Sequence, residues 1–532
     1  MKHYLSLLAI QFLCGQRFFG RAEDKLNNES NVKYSSSNVG LLRLMEVEEE
    51  FTDCLINYIG QLEEETHFLQ KYLSSVYTVE SQKERVEYIS NPLNAFSLLR
   101  RTHEDLPKWH AYFRKSIKNG NLSILDDIVK KVPHRVDLIS AMRGIHRIER
   151  IYDLKIDDLA QGILQGQQHN IQLTYRDLIA MGHFMFEQRD YQAAAKWYRI
   201  ACKHEQKYSD KLLNEVLGNP SEYLHRQFIK ALFIYGTSTS DPATSSDEAS
   251  IAAESSFAEA SKEELDDIMS NLNDPANDVE VEKELYLTNW SPTNFEIGCQ
   301  GLYRRKTNLV CRYKFDTTPF LRLAPLKFEE INLDPYIAMY HEVLYDSEIE
   351  GLKSQSVNMI NAYATEKNGT EIRESVGQFA FWHDKSLMRE RINQRIIDMT
   401  GFNFSKTDEI QVVNYGVGTY FNPHFDFTSD DYEAPDVIEL GDRLSTVLFY
   451  ASNVQQGGAT VFPKINITVF PRKGSSLYWF NLLDDGRPDQ RSQHSVCPVI
   501  NGDRWTLTKW VHFFPQMFIM PCKSYSKTKS EV

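Results

Sequence analysis

Four residues in the C-terminal part of the chain have types and spacing that suit one metal-dependent oxidation: His424 and Asp426, in Asn-Pro-His-Phe-Asp-Phe, then His494 and Arg504. Residues two apart on a β-strand point to the same side, so His424 and Asp426 are expected to project together, with Phe425 and Phe427 turned away. A histidine from another strand completes a 2-His-1-carboxylate set, which holds Fe(II) on one side and leaves positions open for oxygen and an organic co-substrate. His494 is the leading candidate, and His512, in a later strand-like run, is its rival. Arg504 opens the run Arg504-Trp-Thr-Leu-Thr-Lys-Trp, whose alternation sets Arg504, Thr506 and Thr508 on one face. A buried guanidinium there offers bidentate donation to a carboxylate, and so suits the far end of a dicarboxylic co-substrate.

His-x-Asp alone is weak, because a chain with 15 histidines and 73 acidic residues contains it by chance. A lone arginine is, by default, a surface residue. The surroundings change that balance. Residues Glu409 to Tyr415 alternate like a half-buried strand and run into Gly416-Val-Gly418, a turn ahead of the ligand segment. Further strand-like runs cover Leu444 to Tyr450, Ala459 to Phe462, Ser476 to Phe480 and Trp505 to Phe514. Short strands in such succession indicate a barrel or sandwich.

Tyr415-Gly-Val-Gly, Pro423-His-Phe-Asp-Phe, Gly457-Gly-Ala-Thr-Val-Phe-Pro463, the His494 to Arg504 spacing and Lys509-Trp-Val-His512 together resemble the catalytic domain of the collagen prolyl 4-hydroxylase alpha subunit. The resemblance is most specific over residues 330–522. It implies a double-stranded β-helix, a jelly-roll barrel, that binds Fe(II) and 2-oxoglutarate, uses O2 and requires L-ascorbate. It further implies that His424, Asp426 and His494 ligate iron, that Arg504 holds the remote carboxylate, that Tyr415 and Thr460 line the 2-oxoglutarate pocket, and that His512 lies close to the metal end. Without it, Tyr415 reads as a strand residue, Thr460 as a β-former and His512 as a core histidine. Two positions depart from the family pattern: Arg504 stands in place of lysine, and Phe421 in place of a tyrosine three residues before the first ligand. The implied reaction is 4-hydroxylation of peptidyl proline in procollagen-type X-Pro-Gly sequences, with 2-oxoglutarate decarboxylated to succinate and CO2. The alternatives are a related dioxygenase acting on another protein substrate and a non-catalytic polyproline-binding subunit.

The wider frame agrees. A chain of 532 residues with 42% apolar content has room for several cored domains. A formal charge of -14 argues against nucleic acid, which calls for clustered positive charge. Met1 to Gly15 has a basic start and a short apolar core, the form of a secretory signal, and no later run is long enough for a membrane span. Six cysteines remain beyond that signal, with Cys299–Cys311 and Cys497–Cys522 the expected pairs and Cys54 and Cys202 the expected buried thiols. Sequons at Asn28, Asn121, Asn289, Asn368, Asn403 and Asn466 fit a glycoprotein of the endoplasmic reticulum lumen. The last residues carry no Lys-Asp-Glu-Leu address, so retention is expected through protein disulfide isomerase, the family's beta subunit, in an alpha2-beta2 tetramer.

The expected organisation is a signal peptide over 1–20, a helical dimerisation domain over 21–135, a tetratricopeptide-like peptide-substrate-binding domain over 136–235, an acidic linker over 236–290 and the dioxygenase domain over 291–525. Phe51, Leu55, Tyr58, Leu62, Leu69, Tyr72 and Val76 fall at the spacing of an amphipathic helix, suited either to a coiled coil between two alpha chains or to packing within its own domain. Leu178, Gly182, Ala194, Tyr198 and Ala201 fall at tetratricopeptide spacing, with Arg189-Asp190 as the turn. Tyr191, Tyr198, Tyr223 and Tyr235 are candidates for contact with a proline-rich procollagen-like peptide, and each also fits as a helix-packing aromatic. Residues 236–284 hold fourteen acids and two lysines, a tether composition.

Overall fold

Ser81, Thr174 and Thr293 each stand three residues before an acid, and each opens a helix in the computed structural model of the chain. The hydroxyl accepts from the N–H of Glu84, Asp177 or Glu296, and that acid's carboxylate accepts from the N–H of the capping residue. The structure describes residues 34, 35, 37–59, 81–116, 123–205, 216–218, 221–240, 257, 281, 283, 285, 291–304, 308–356, 359–365, 371–382, 386–402, 409–428 and 435–520. The segment read as a secretory signal, Cys522 and every sequon asparagine except the exposed Asn466 lie outside them.

The N-terminal region is helical. Its elements include Asn38–Ile59, Pro92–Arg100, Arg135–Ile151, Tyr175–Glu187, Tyr191–Glu205 and Ser221–Ser240. The first helix packs inside its own chain, with Leu41, Leu44, Met45 and Phe51 buried. Leu55 and Tyr58 have no described side chain and Leu62 to Val76 lie outside the described residues, so only the own-domain packing of this helix is visible. Asp177 caps one helix and also accepts from Ser97 Oγ at 2.8 Å and from buried Arg100, whose guanidinium reaches Asp105 at 3.0 Å. Buried charge of this kind is tolerated because each member is hydrogen-bonded, and it locks the helices in one arrangement. Between Tyr175–Glu187 and Tyr191–Glu205, a Cβ on Gly182 would come within 2.5 Å of the Tyr198 ring, so only glycine lets the pair close. Arg189 takes a φ of 62° in the turn between them.

The stretch read as an acidic tether departs from that reading where it is described. Leu285 is buried in the helical core and its carbonyl accepts from Gln192 at 2.8 Å, while Phe257 is buried beside Phe233. Apolar residues at these points outweigh the local charge and fasten the chain down.

The C-terminal region is built from antiparallel strands. Following a short hairpin of β1 (Ile163–Leu164) and β2 (Gln167–Gln168) in the helical region come β3 (Cys311–Lys314), β4 (Leu326–Leu333), β5 (Tyr336–His341), β6 (Ile360–Thr365), β7 (Glu371–Trp382) and β8 (Ile410–Tyr415). Then follow β9 (Phe421–His424), β10 (Arg443–Tyr450), β11 (Val454–Gly457), β12 (Thr460–Phe462) and β13 (Ile467–Val469). The last four are β14 (Ser476–Phe480), β15 (His494–Val496), β16 (Val499–Gly502) and β17 (Arg504–His512). Nine strands form one sheet in the order β3-β4-β5-β14-β10-β17-β8-β7-β6, and four form a second in the order β13-β12-β15-β9. Along β10, Val447 and Phe449 face the helices Asp346–Gln355 and Leu387–Thr400, while Leu448 and Tyr450 meet Phe462, Ile467 and Val469 of the smaller sheet. That alternation puts one core behind the large sheet and another between the sheets.

The disulfide expectation is corrected. Cys299 is bonded to Cys497, and Cys311 sits exposed on edge strand β3. The helix Asn294–Cys299 docks on the smaller sheet, where Thr468 Oγ1 donates to Gly298 O at 2.8 Å, and Cys497 N–H is tied to Ala459 O at 2.8 Å beside it. Twelve residues of sequence carry Cys311 instead onto the large sheet, so proximity along the chain misleads. Cys202 is half-buried rather than buried, and the side chain of Cys54 lies outside the described residues. Among the described residues no helix is long and apolar enough to cross a membrane.

Candidate metal centre and its cavity

The two histidines are brought together by sheet register. His494 on β15 stands opposite His424 on β9, and their ring centroids are 4.4 Å apart. Strand β9 ends at His424, so Asp426 reaches them from the bend that follows, not as the next outward residue of a strand as expected. Its Oδ1 lies 3.8 Å from His424 Nε2 and its Oδ2 3.7 Å from His494 Nε2. Ligand atoms of all three lie within 4.8 Å of one another, and no other such group of three occurs among the described residues.

Backbone carbonyls orient both rings. Asn422 O lies 2.7 Å from His424 Nδ1, and Ser492 O lies 3.1 Å from His494 Nδ1. Each Nδ1 thereby carries the proton and each Nε2 lone pair faces the common point, the arrangement of metal-ligating imidazoles. Burial, reinforced by the neighbouring imidazole of His494, pushes the His424 pKa down to about 3, which keeps the ring neutral. Burial alone would raise Asp426, yet its carboxyl is held below the usual range, helped by a hydrogen bond from Thr446. Thr446 Oγ1 donates to Asp426 Oδ2 at 2.6 Å and itself accepts from Asn481 Nδ2 at 2.9 Å. Trp479 packs edge-on to His494 at 4.7 Å and Phe421 edge-on to His424 at 4.0 Å.

These residues wall one end of a cavity of about 410 Å³ between the two sheets, within the usual range for a small-molecule site. The other end is closed by Arg504, only 1% exposed. Its Nη2 donates to Thr460 Oγ1 at 3.0 Å, Tyr450 OH shares that oxygen at 2.8 Å, and the guanidinium carbon lies 4.9 Å from the centre of the Tyr415 ring. Nε and Nη1 of Arg504 are buried with no hydrogen-bond acceptor among the described residues. An unsatisfied buried cation is costly, and either of these groups can pair with the second N–H of Nη2 to present one bidentate edge to a carboxylate. The donor set at the first end is that of an Fe(II) site with open positions. The residues present therefore fit both iron and a dicarboxylate. Exposure falls from half-buried Phe421, His424, Phe425 and Arg443 to closed Thr460 and Arg504, so the metal end is the open one.

Residues 37–166 match the family model described as prolyl 4-hydroxylase alpha-subunit, N-terminal region, and residues 410–512 match the 2OG-Fe(II) oxygenase superfamily. The chain is 29% identical over 503 residues to prolyl 4-hydroxylase subunit alpha-2 of Caenorhabditis elegans, covering 91% of this chain and 92% of that one. It is 28% identical over 503 residues to prolyl 4-hydroxylase subunit alpha-1 of Homo sapiens, covering 90% of this chain and 93% of that one. The chain is thus similar over about 90% of its length to prolyl 4-hydroxylase alpha subunits, with the oxygenase match confined to residues 410–512. Among solved structures, the viral collagen prolyl hydroxylase of Paramecium Bursaria Chlorella virus-1 in its 2OG complex matches 33% of this chain and 96% of its own at 18% identity and a TM-score of 0.28, too low to bear weight here.

Six of the seven residues singled out from sequence line the cavity: Tyr415, His424, Asp426, Thr460, His494 and Arg504. His512 does not. It is buried at the far end of β17, with Nδ1 2.7 Å from Gly441 O, and stands outside the three-residue ligand group. Phe425, expected to face away, also lines the cavity and stacks on Phe427 at 4.7 Å. Sequence reasoning missed Thr446, Asn481, Trp479 and Arg443. Only the pairing of β10 with β14 and β17 makes them neighbours of the ligands, although the alternation in Leu444 to Tyr450 already put Thr446 on the same face as Leu448.

Proposed function

We propose that this chain is the catalytic alpha subunit of a procollagen-type proline 4-dioxygenase. The reading is carried by one observation: three converging ligands stand at the open end of a cavity whose closed end is a buried arginine with two unmet donors, in a chain related along its length to prolyl 4-hydroxylase alpha subunits. His424, Asp426 and His494 hold Fe(II), and Arg504 pairs with the remote carboxylate of 2-oxoglutarate, with Thr460 and Tyr415 fixing the guanidinium. Thr460 stands opposite Val496, making it a diagonal neighbour of His494 at about 7–8 Å, a span suited to a short dicarboxylate. Iron and 2-oxoglutarate, when bound, supply the oxidation: one atom of O2 goes into succinate as CO2 leaves, the other into the C4–H bond of a peptidyl proline. Trp479, Phe421 and Leu448 keep the reacting end dry, and Thr446 with Asn481 keeps the Asp426 carboxylate turned towards the imidazoles.

The finer parts of the reading rest on resemblance. The two sheets are the halves of a jelly-roll barrel. The helices Tyr175–Glu187 and Tyr191–Glu205 with their flanking helices are a tetratricopeptide-like module for proline-rich peptide, and Tyr223, stacked 6.1 Å from His183, is an exposed aromatic on it. L-ascorbate keeps the iron ferrous, and His512 supports the metal end of the site from behind β17. Two alpha chains and two protein disulfide isomerase beta subunits assemble in the endoplasmic reticulum lumen. Incubation of the purified complex with (Pro-Pro-Gly) repeats, Fe(II), ascorbate and labelled 2-oxoglutarate tests the activity. Peptide-dependent succinate with one oxygen gained on proline is the expected result. Oxygen on another residue supports the second dioxygenase reading, and peptide binding without turnover refutes catalysis.

A further inference from the structure

The turn that leads into the first ligand strand is gripped by the helical region. Gly418 has a φ of 69°, and a Cβ there would lie 2.5 Å from Gly144 Cα in the helix Arg135–Ile151, so two glycines bring the backbones of helix and turn into direct contact. One helical turn further, Arg147 Nη1 donates to Gly418 O at 2.6 Å and its guanidinium lies 4.1 Å from the centre of the Tyr420 ring. The next residue, Phe421, is the one packed edge-on to His424. The same helix is followed by Tyr152, whose hydroxyl donates to Pro498 O at 2.6 Å, two residues past the strand that carries His494. Both histidine-bearing strands are therefore tied at one end to a single helix that lies outside the oxygenase domain.

The geometry points to Arg147 as a positioning residue for the metal centre: through Gly418 and Tyr420 it fixes strand β9, so the iron ligands are preorganised by the helical region. The inference rests on the iron-site reading above. It has a physical basis in the cost of loose ligands, since groups that merely orient metal ligands change affinity by about ten- to a hundredfold when removed.

The test is a Co(II) titration of the full chain, followed by the ligand-field absorption of bound cobalt, for wild type, Arg147→Ala, Arg147→Lys and Tyr420→Ala. Arg147→Ala is expected to weaken Co(II) binding about tenfold at a temperature where circular dichroism shows it folded. Arg147→Lys, which keeps a donor for Gly418 O, should recover part of that loss. The Arg147→Ala/Tyr420→Ala double variant should be no worse than Arg147→Ala alone, because Arg147→Ala already removes the contact with the Tyr420 ring. In turnover, the Arg147→Ala defect should shrink as metal is raised, with the peptide KM unmoved. A merely structural arginine would lower the melting temperature and leave Co(II) affinity at the wild-type value, and that result overturns the inference. If Arg147→Ala does not fold, Tyr420→Ala carries the same comparison. A wild-type chain that takes up no Co(II) overturns the iron-site reading itself, a distinguishable failure.

Discussion

Replacing Arg504 separates what the residue does for binding from what it does for folding. Arg504 is 1% exposed, its guanidinium donates one hydrogen bond to Thr460, and its Nε and Nη1 have no acceptor among the described residues. A bound carboxylate takes one of them together with the second N–H of Nη2. Lysine preserves the charge but presents no pair of parallel N–H groups, so Arg504→Lys loses one charge-assisted hydrogen bond, about 1.5–3 kcal/mol. At 1.4 kcal/mol per decade that is roughly ten- to a hundredfold weaker 2-oxoglutarate binding. Methionine removes the charge as well, and truncating one partner of a buried charged pair costs about 2–5 kcal/mol, roughly thirtyfold to several thousandfold. Stability moves the other way. Arg504→Met relieves about 1–3 kcal/mol of unmet donor burial, so without ligand it should melt at or above the wild-type temperature. Calorimetric titration of 2-oxoglutarate into the Mn(II)-loaded chain, paired with scanning calorimetry of the ligand-free chain, reads both quantities. If Arg504→Met bound 2-oxoglutarate as tightly as wild type, or lost Mn(II) rather than 2-oxoglutarate, the carboxylate assignment would be refuted.

The ligand set and its supports give three further expectations. Thr446→Val keeps the shape but removes the donor to Asp426 and the acceptor for Asn481, so Co(II) affinity should fall about ten- to a hundredfold with the fold intact by circular dichroism. His494→Ala should abolish Co(II) uptake and turnover while His512→Ala keeps Co(II) uptake; the reverse pattern in the same titration would make His512 the ligand. The Cys299–Cys497 bond spans 198 residues, so Cys497→Ser should lower stability by up to about 5 kcal/mol in denaturant melts, with Cys311→Ser neutral. A non-reducing peptide map that joined Cys299 to Cys311 would restore the pairing expected from spacing.

How much of this was legible in the sequence depends on the range of the interaction. The strand runs around residues 410–415, 443–450, 476–480 and 504–512 were legible because each is a short run rich in β-branched and aromatic residues, alternating or continuously apolar. Gly416-Val-Gly418 was legible as a turn from its residue types, an equally local signal. The helix pair at residues 175–205 could be read from Gly182 and Tyr198, whose small and large side chains must face each other. The convergence of His424 with His494 was not in the local pattern at all. It depends on β15 pairing with β9 in one register, which only the resemblance supplied. Thr446 and Asn481 were beyond reach because threonine and asparagine in strands and loops have many ordinary reasons to be there.

The largest departure concerns how the parts meet, and it bears on how the site works. Composition divided the chain into helical modules, an acidic tether and an oxygenase, and a tether implies independent motion. Instead one apolar cluster runs from Leu44, Leu93 and Leu178 of the helical region to Ala459, Val461 and Ile500 of the oxygenase strands, with the Cys299–Cys497 bond inside it. Among the described residues of the acidic stretch, Phe257 and Leu285 are buried. Asn38 makes the same point at residue level: its N–H reaches Asn414 Oδ1 at 3.3 Å, one residue before Tyr415 in the strand that faces Arg504. A helical region joined to the catalytic sheet at Asn414, Gly418 and Pro498 is part of the scaffold that sets the cavity's walls. Excising the oxygenase domain alone would then expose the apolar face of Ala459, Val461 and Ile500 and release the strands that carry the ligands, which is a physical reason for the two regions to travel in one chain.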